Sequence, residues 1–155
     1  MERARALVAP VLAGATRLAL GALWLHEGLF KYHAHFGAPD ILLVADSTAG
    51  NSRIPSYFAP ITSLLHSAPN LLGVVMPLAE TLLGVALILG VLTLPLAAVS
   101  VVQLMTYWSA DQLIGQYPVM VLLSAAVLVA WRPATRLGLD RVLLPWALRR
   151  LPQRG

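Results

Sequence analysis

The chain has no cysteine and little charge: only 12% of its 155 residues are Asp, Glu, Lys or Arg. The first absence removes disulfides, thiolate metal sites, iron–sulfur ligation and thiol redox relays together. Any redox work would need a bound small molecule. The second argues against a soluble domain. With 58% hydrophobic residues and a mean hydropathy of +0.74, the chain carries more apolar surface than one core can enclose. The composition therefore predicts an integral membrane protein. The net charge of +4 does not imply nucleic acid, because the basic residues gather at the chain ends beside apolar runs, where they orient membrane proteins.

What is present is four apolar runs, at about residues 10–36, 71–94, 95–114 and 117–131. The first, at 1.5 Å per residue, is ~40 Å long and must tilt or protrude from a hydrocarbon core of ~30 Å. Its basic, apolar start resembles a signal peptide but continues without a break, so it reads as an uncleaved span opening at Pro10. Short links make the later runs antiparallel neighbours, and the expected fold is an all-α bundle of four transmembrane helices. Arg3 and Arg5 precede the first run, and Arg132, Arg136, Arg141, Arg149, Arg150 and Arg154 follow the fourth. Both termini are therefore expected in the cytoplasm. The long loop at 37–69 then lies outside, where its "ILLVA" and "IPSYFAPITSLL" favour packing onto the bundle mouth. The tail at 132–155 mixes Leu137, Val142, Leu143, Trp146 and Leu148 with arginines, as a helix on an anionic inner leaflet does.

Polar residues within the runs fall on stripes. Gly14, Arg17, Gly21, Trp24, Gly28, Lys31 and His35 alternate by three and four, with Glu27 at the margin. Gly73, Pro77, Glu80 and Gly84 repeat the pattern in the second run, and Ser100, Gln103, Tyr107 and Asp111 share a face of the third. A charge at the bilayer centre costs at least roughly 2.5–3.5 kcal/mol, so such residues face the bundle interior. Glu27, Lys31, Tyr107 and Asp111 are expected in the outer half, around a site opening toward the outer face. Glu80 lies deeper, and Pro77 frees a carbonyl one turn before it.

Each candidate has a plainer reading beside the functional one. Glu27 and Lys31 are spaced as an interfacial ion pair, Arg17 as a snorkelling residue or partner of Asp140, and Trp24, Tyr107 and Trp108 as packing aromatics that can also stack on a ring ligand. Glu80 is the residue a structural role explains least. The "HAH" of His33 to His35 has the wrong spacing for chelation on a helix, and no metal site is expected.

The segments "RLALGALWLHEGLFKY", "AETLLGVALILGVLTLPLAA" and "LGLDRVLLP" together resemble the DoxX/DoxD family, across Arg17 to Pro145. The carry-over covers Arg17, Gly28, Lys31, Glu80, Gly84 and Asp140; "MTYWSADQ" matches no pattern of the family. The resemblance implies a four-helix protein of a prokaryotic cytoplasmic membrane, similar to the membrane subunit of thiosulfate:quinone oxidoreductase. Quinone is the implied cofactor, and thiosulfate or another small sulfur compound the implied donor. On that reading Glu80 and Glu27 move protons, while Lys31, Trp24, Tyr107, Gln103 and Asp111 line the quinone site. The competing reading is a non-enzymatic anchor or assembly factor whose outer loop docks a peripheral partner or second subunit. A proton-coupled carrier also fits the buried acids but lacks duplicated halves.

Overall fold

The computed structural model describes residues 2–143 and 145, with side chains from Leu7 onward. Trp146, Leu148, Arg149, Arg150 and Arg154 of the expected inner-leaflet tail lie outside the described residues, as do the side chains of Arg3 and Arg5. Every regular element among the described residues is helical. In order they are α1 (Glu2–His33), α2 (Ala38–Thr48), a 3₁₀ turn (Ser56–Phe58), α3 (Ala59–Ser67), α4 (Pro69–Leu89), α5 (Thr93–Ser109), α6 (Tyr117–Val129) and the short α7 (Trp131–Thr135). Two stretches, Leu7–His33 and Pro69–Leu89, are long and apolar enough to cross a membrane.

The helices end earlier than the apolar runs do. α1 closes where Phe36 N–H reaches back to the Lys31 carbonyl (2.9 Å) and His35 N–H to that of Tyr32 (3.2 Å), with His35 left-handed at φ 54°. Gly90 closes α4 in the same way, and Asp111, at φ 59°, closes α5. This arrangement satisfies orphan carbonyls of the last turn and usually calls for glycine. Pro10 lies inside α1 rather than starting it; the missing N–H deprives only one carbonyl, near the helix end, of its partner.

α1 packs mainly on α4, and α5 mainly on α6; α1 also meets α6, while α4 and α5 touch more sparsely. The α1–α4 contact has no room for a side chain at its centre. A Cβ on Gly84 would sit 2.7 Å from Leu25 Cα and 2.8 Å from the Gly21 carbonyl oxygen, and one on Gly21 would sit 2.9 Å from that of Gly84. Glycines at this spacing let two backbones touch. The core beside them holds Leu20, Trp24, Leu87, Leu104, Met120 and Val127.

The 37–69 segment is itself helical, with a second small core. Ile41, Ala45, Phe58 and Leu65 gather with Ala110 from the end of α5 and with Phe36, Leu72 and Met76. Thr48 and Thr62 hydroxyls join α2 to α3 (2.9 Å), and the Tyr57 hydroxyl reaches Ser109 (2.7 Å). The segment thus roofs the end of α1, α4 and α5.

The opposite end is locked by Arg17 and Asp140. Arg17 donates to the carbonyls of Leu87 and, at 2.9 Å, Ile88 at the end of α4, with a longer contact to Leu137 (3.4 Å). Asp140 instead accepts from the Leu92 and Thr93 N–H groups at the start of α5 (2.7 and 2.8 Å). Both serve helix ends whose backbone groups lack helical partners. The expected pairing of Arg17 with Asp140 is replaced by this division of labour.

Large apolar side chains stand exposed along the helices while some charged ones are buried. Leu122 and Val129 are 71% and 89% exposed, while Arg17 and Glu80 are each 1% exposed.

Candidate functional site

The last turns of α1 carry Glu27 and Lys31 on the side that faces α4. Gly28, between them, sits so close to α4 that a Cβ there would lie 2.9 Å from the Pro77 carbonyl oxygen. That approach brings Lys31, the chain's only lysine, to Glu80. Its Nζ is 2.7 Å from both Glu80 oxygens and 3.4 Å from Glu27 Oε2. The main partner of Lys31 is thus on the neighbouring helix, not one turn back on its own. The Lys31 side chain is 14% exposed and that of Glu27 only 7%, so this is no surface ion pair.

Further donors converge from α5 and α6. The Tyr107 hydroxyl donates to Glu80 Oε1, and Gln103 Nε2 donates to that hydroxyl (2.8 Å). On the other side Gln116 Nε2 donates to Glu27 Oε1, and the Tyr117 hydroxyl approaches Glu27 Oε2 at 3.4 Å. The rings of Tyr107 and Tyr117 stack with centroids 5.4 Å apart. The result is one continuous chain of polar groups, Gln116–Glu27–Lys31–Glu80–Tyr107–Gln103, crossing the interior from α6 to α5.

Charge counting says what this chain can do. Two carboxylates face one ammonium, which leaves one negative charge in excess; taking up a single proton makes the cluster neutral. Tyrosine and amide donors aimed at the carboxylates stabilise the charged state, and Lys31 and Tyr107 connect the two acids to their surroundings. The cluster can hold a proton and pass it along bonds already made.

Glu27, Lys31, Glu80, Tyr107 and Gln103 come together, but two sequence candidates do not join them. The Trp24 indole donates to the Ser100 hydroxyl (2.7 Å), itself bonded to Ser124 (2.7 Å), so it ties α1 to α5 and α6 in the dry core. Asp111 follows the end of α5, off the helical stripe, and pairs at 2.9 Å with Arg53 at the surface. His35 leaves the α1 stripe because the helix has ended. Gln116 and Tyr117 were missed: they stand at the start of an apolar run, where an aromatic reads as an interface anchor. The repeat Tyr117, Met120, Ser124, Val127, all buried, was the available signal.

Between the roof and the Lys31–Tyr107 pair lies only a small cavity of about 70 Å³, lined by Phe36, Phe58 and Met76 among others. Larger grooves open sideways. One, of about 540 Å³, runs between α5 and α6 past Trp108, Tyr117 and Val121. The other, of about 310 Å³, runs between α4 and α5 and reaches Glu80 and Gln103.

Comparison with known proteins finds no matching family model, and no similar curated protein or solved structure.

Proposed function

We propose that α5 and α6 cross the membrane beside α1 and α4, with α2 and α3 roofing the outer end, and that this four-helix bundle is the membrane subunit of a quinone-linked oxidoreductase. The setting is a prokaryotic cytoplasmic membrane, with both termini inside. The reading joins the DoxX/DoxD resemblance to the buried cluster, and the observation that carries it is Glu80. A carboxylate 1% exposed, held by a lysine and a tyrosine at the end of a groove in the side of the molecule, is a proton site within reach of a lipid-borne molecule. Exposed leucines and valines around the helices support four crossings, because lipid is a cover that suits them.

A bound quinone would accept two electrons and two protons, the electrons coming through a partner subunit from a small sulfur anion outside the membrane, as when two thiosulfates join sulfur to sulfur to give tetrathionate and release two electrons. The residues here supply the protons. Glu80, the member of the cluster that faces a groove in the side of the molecule, passes protons toward the reacting oxygens, and Lys31, Tyr107 and Glu27 relay their replacement from outside through the few water molecules that the 70 Å³ cavity can hold.

A second reading draws on the roof, where Leu43 is 70% exposed. A peripheral protein held there would make the chain an anchor.

The test is to purify the full chain with its lipid and ask whether quinone co-purifies and is reduced when thiosulfate is added. Bound quinone that turns over supports the redox reading. A quinone-free chain with a stably associated peripheral protein supports the anchor.

A further inference from the structure

We propose that the groove between α4 and α5 is the doorway and head-group site of the quinone, whose ring would lie against Gln103 and Glu80 while its tail runs along Leu82, Leu96 and Val99 into lipid. The proposal rests on the redox reading above and adds which of the openings is used.

Among the described residues the roof cavity and the two side grooves reach the cluster, and their linings differ. The route through the roof is too narrow, since about 70 Å³ admits water but not a substituted ring. The α5–α6 groove is the largest, but its contact with the cluster is Tyr117, whose hydroxyl is directed at Glu27. The α4–α5 groove alone is lined by Glu80 together with Gln103.

Those two residues provide complementary chemistry. Gln103 uses Nε2 on Tyr107, which leaves a second N–H able to donate to a ring carbonyl, and an amide oxygen able to accept from a ring hydroxyl. The site can therefore recognise both the oxidised and the reduced head group. Every other lining residue is Ala, Leu or Val, as an isoprenoid or alkyl tail requires. At about 310 Å³ the groove falls at the small end of ligand pockets, enough for a head group whose tail stays in the membrane.

The local packing fits entry from the side. α4 and α5 are pinned together at the Gly90 turn, where Asp140 holds the start of α5, and meet sparsely elsewhere. The groove runs from that end, at Leu92, toward Glu80, so its mouth faces the lipid of the inner half.

An azido-ubiquinone photolabel tests this on the full chain in lipid nanodiscs, with excess decylubiquinone as competitor and labelled peptides read by mass spectrometry. Wild type should be labelled competably between Ala79 and Gln103. Ala86→Trp, which fills the groove, should reduce labelling at least tenfold, whereas Val121→Trp in the α5–α6 groove should leave it unchanged. If Ala86→Trp fails to fold, Val99→Trp fills the same groove from a position already 49% exposed. Competable labelling that survives in the folded groove-filled variant, or that Val121→Trp removes, overturns the doorway while leaving quinone binding intact. No competable label anywhere on wild type overturns the doorway and the redox reading together.

Discussion

Lys31 holds two acids at once, and its removal is the sharpest residue-scale test of the cluster. An exposed Glu27–Lys31 pair would contribute less than ~1 kcal/mol. As built, Lys31→Ala leaves two buried carboxylates facing each other without a cation, and should cost about 3–5 kcal/mol in reversible unfolding, measured in detergent. Glu80→Gln is different, because Lys31 keeps Glu27 as partner and the excess negative charge is gone; its stability should stay within about 1 kcal/mol of wild type. The spacing of Glu27 and Lys31 is legible in the sequence, as is the oddity of Glu80 in an apolar run. That Lys31 chooses Glu80 is not, since it depends on how closely Gly28 lets α1 approach α4. Gln103 and Tyr107 were legible as a stripe, whereas Gln116 and Tyr117 join only through the fold.

At the scale of elements, each of the four apolar runs carries a helix, α1, α4, α5 and α6, but the helices stop short of the ends of the runs. Apolar composition continues past Leu89 and Ser109, so hydropathy places the second and third runs too far, and the closing residues at two ends are His35 and Asp111 rather than glycine. The roof helices α2 and α3 are short, and α2's helical spacing of Ile41, Ala45 and Thr48 covers too few turns to stand out from a long apolar-patched loop. Two predictions belong here. Gly84→Ala must push α1 away from α4 against the Leu25 backbone, costing about 1–3 kcal/mol in unfolding and weakening quinone retention through the Lys31–Glu80 contact. Asp111→Gly relieves a left-handed aspartate, worth about 1 kcal/mol, and loses only an exposed ion pair with Arg53, worth about 0–1 kcal/mol. It should therefore be neutral to slightly stabilising, with quinone binding unchanged. Loss of binding would return Asp111 to the site.

At the scale of the whole molecule, buried charges such as Arg17 and Glu80 stand beside exposed leucines such as Leu122, and the absence of cysteine makes the orientation measurable. In intact cells an impermeant thiol reagent should label Ser47→Cys on the roof and spare Arg136→Cys at the opposite end; the reverse would overturn the arginine-based topology. The orientation matters because it sets which side supplies electrons and protons to the cluster. The most direct test of the central claim, that Glu80 carries the proton accompanying quinone reduction, is thiosulfate-driven quinone reduction in membranes bearing wild type or Glu80→Gln at equal folded amounts. The variant keeps the shape of the side chain and most of its hydrogen bonds but cannot exchange a proton. The account predicts a well-folded variant whose turnover is lost across the pH range. Full turnover by that folded variant would contradict it.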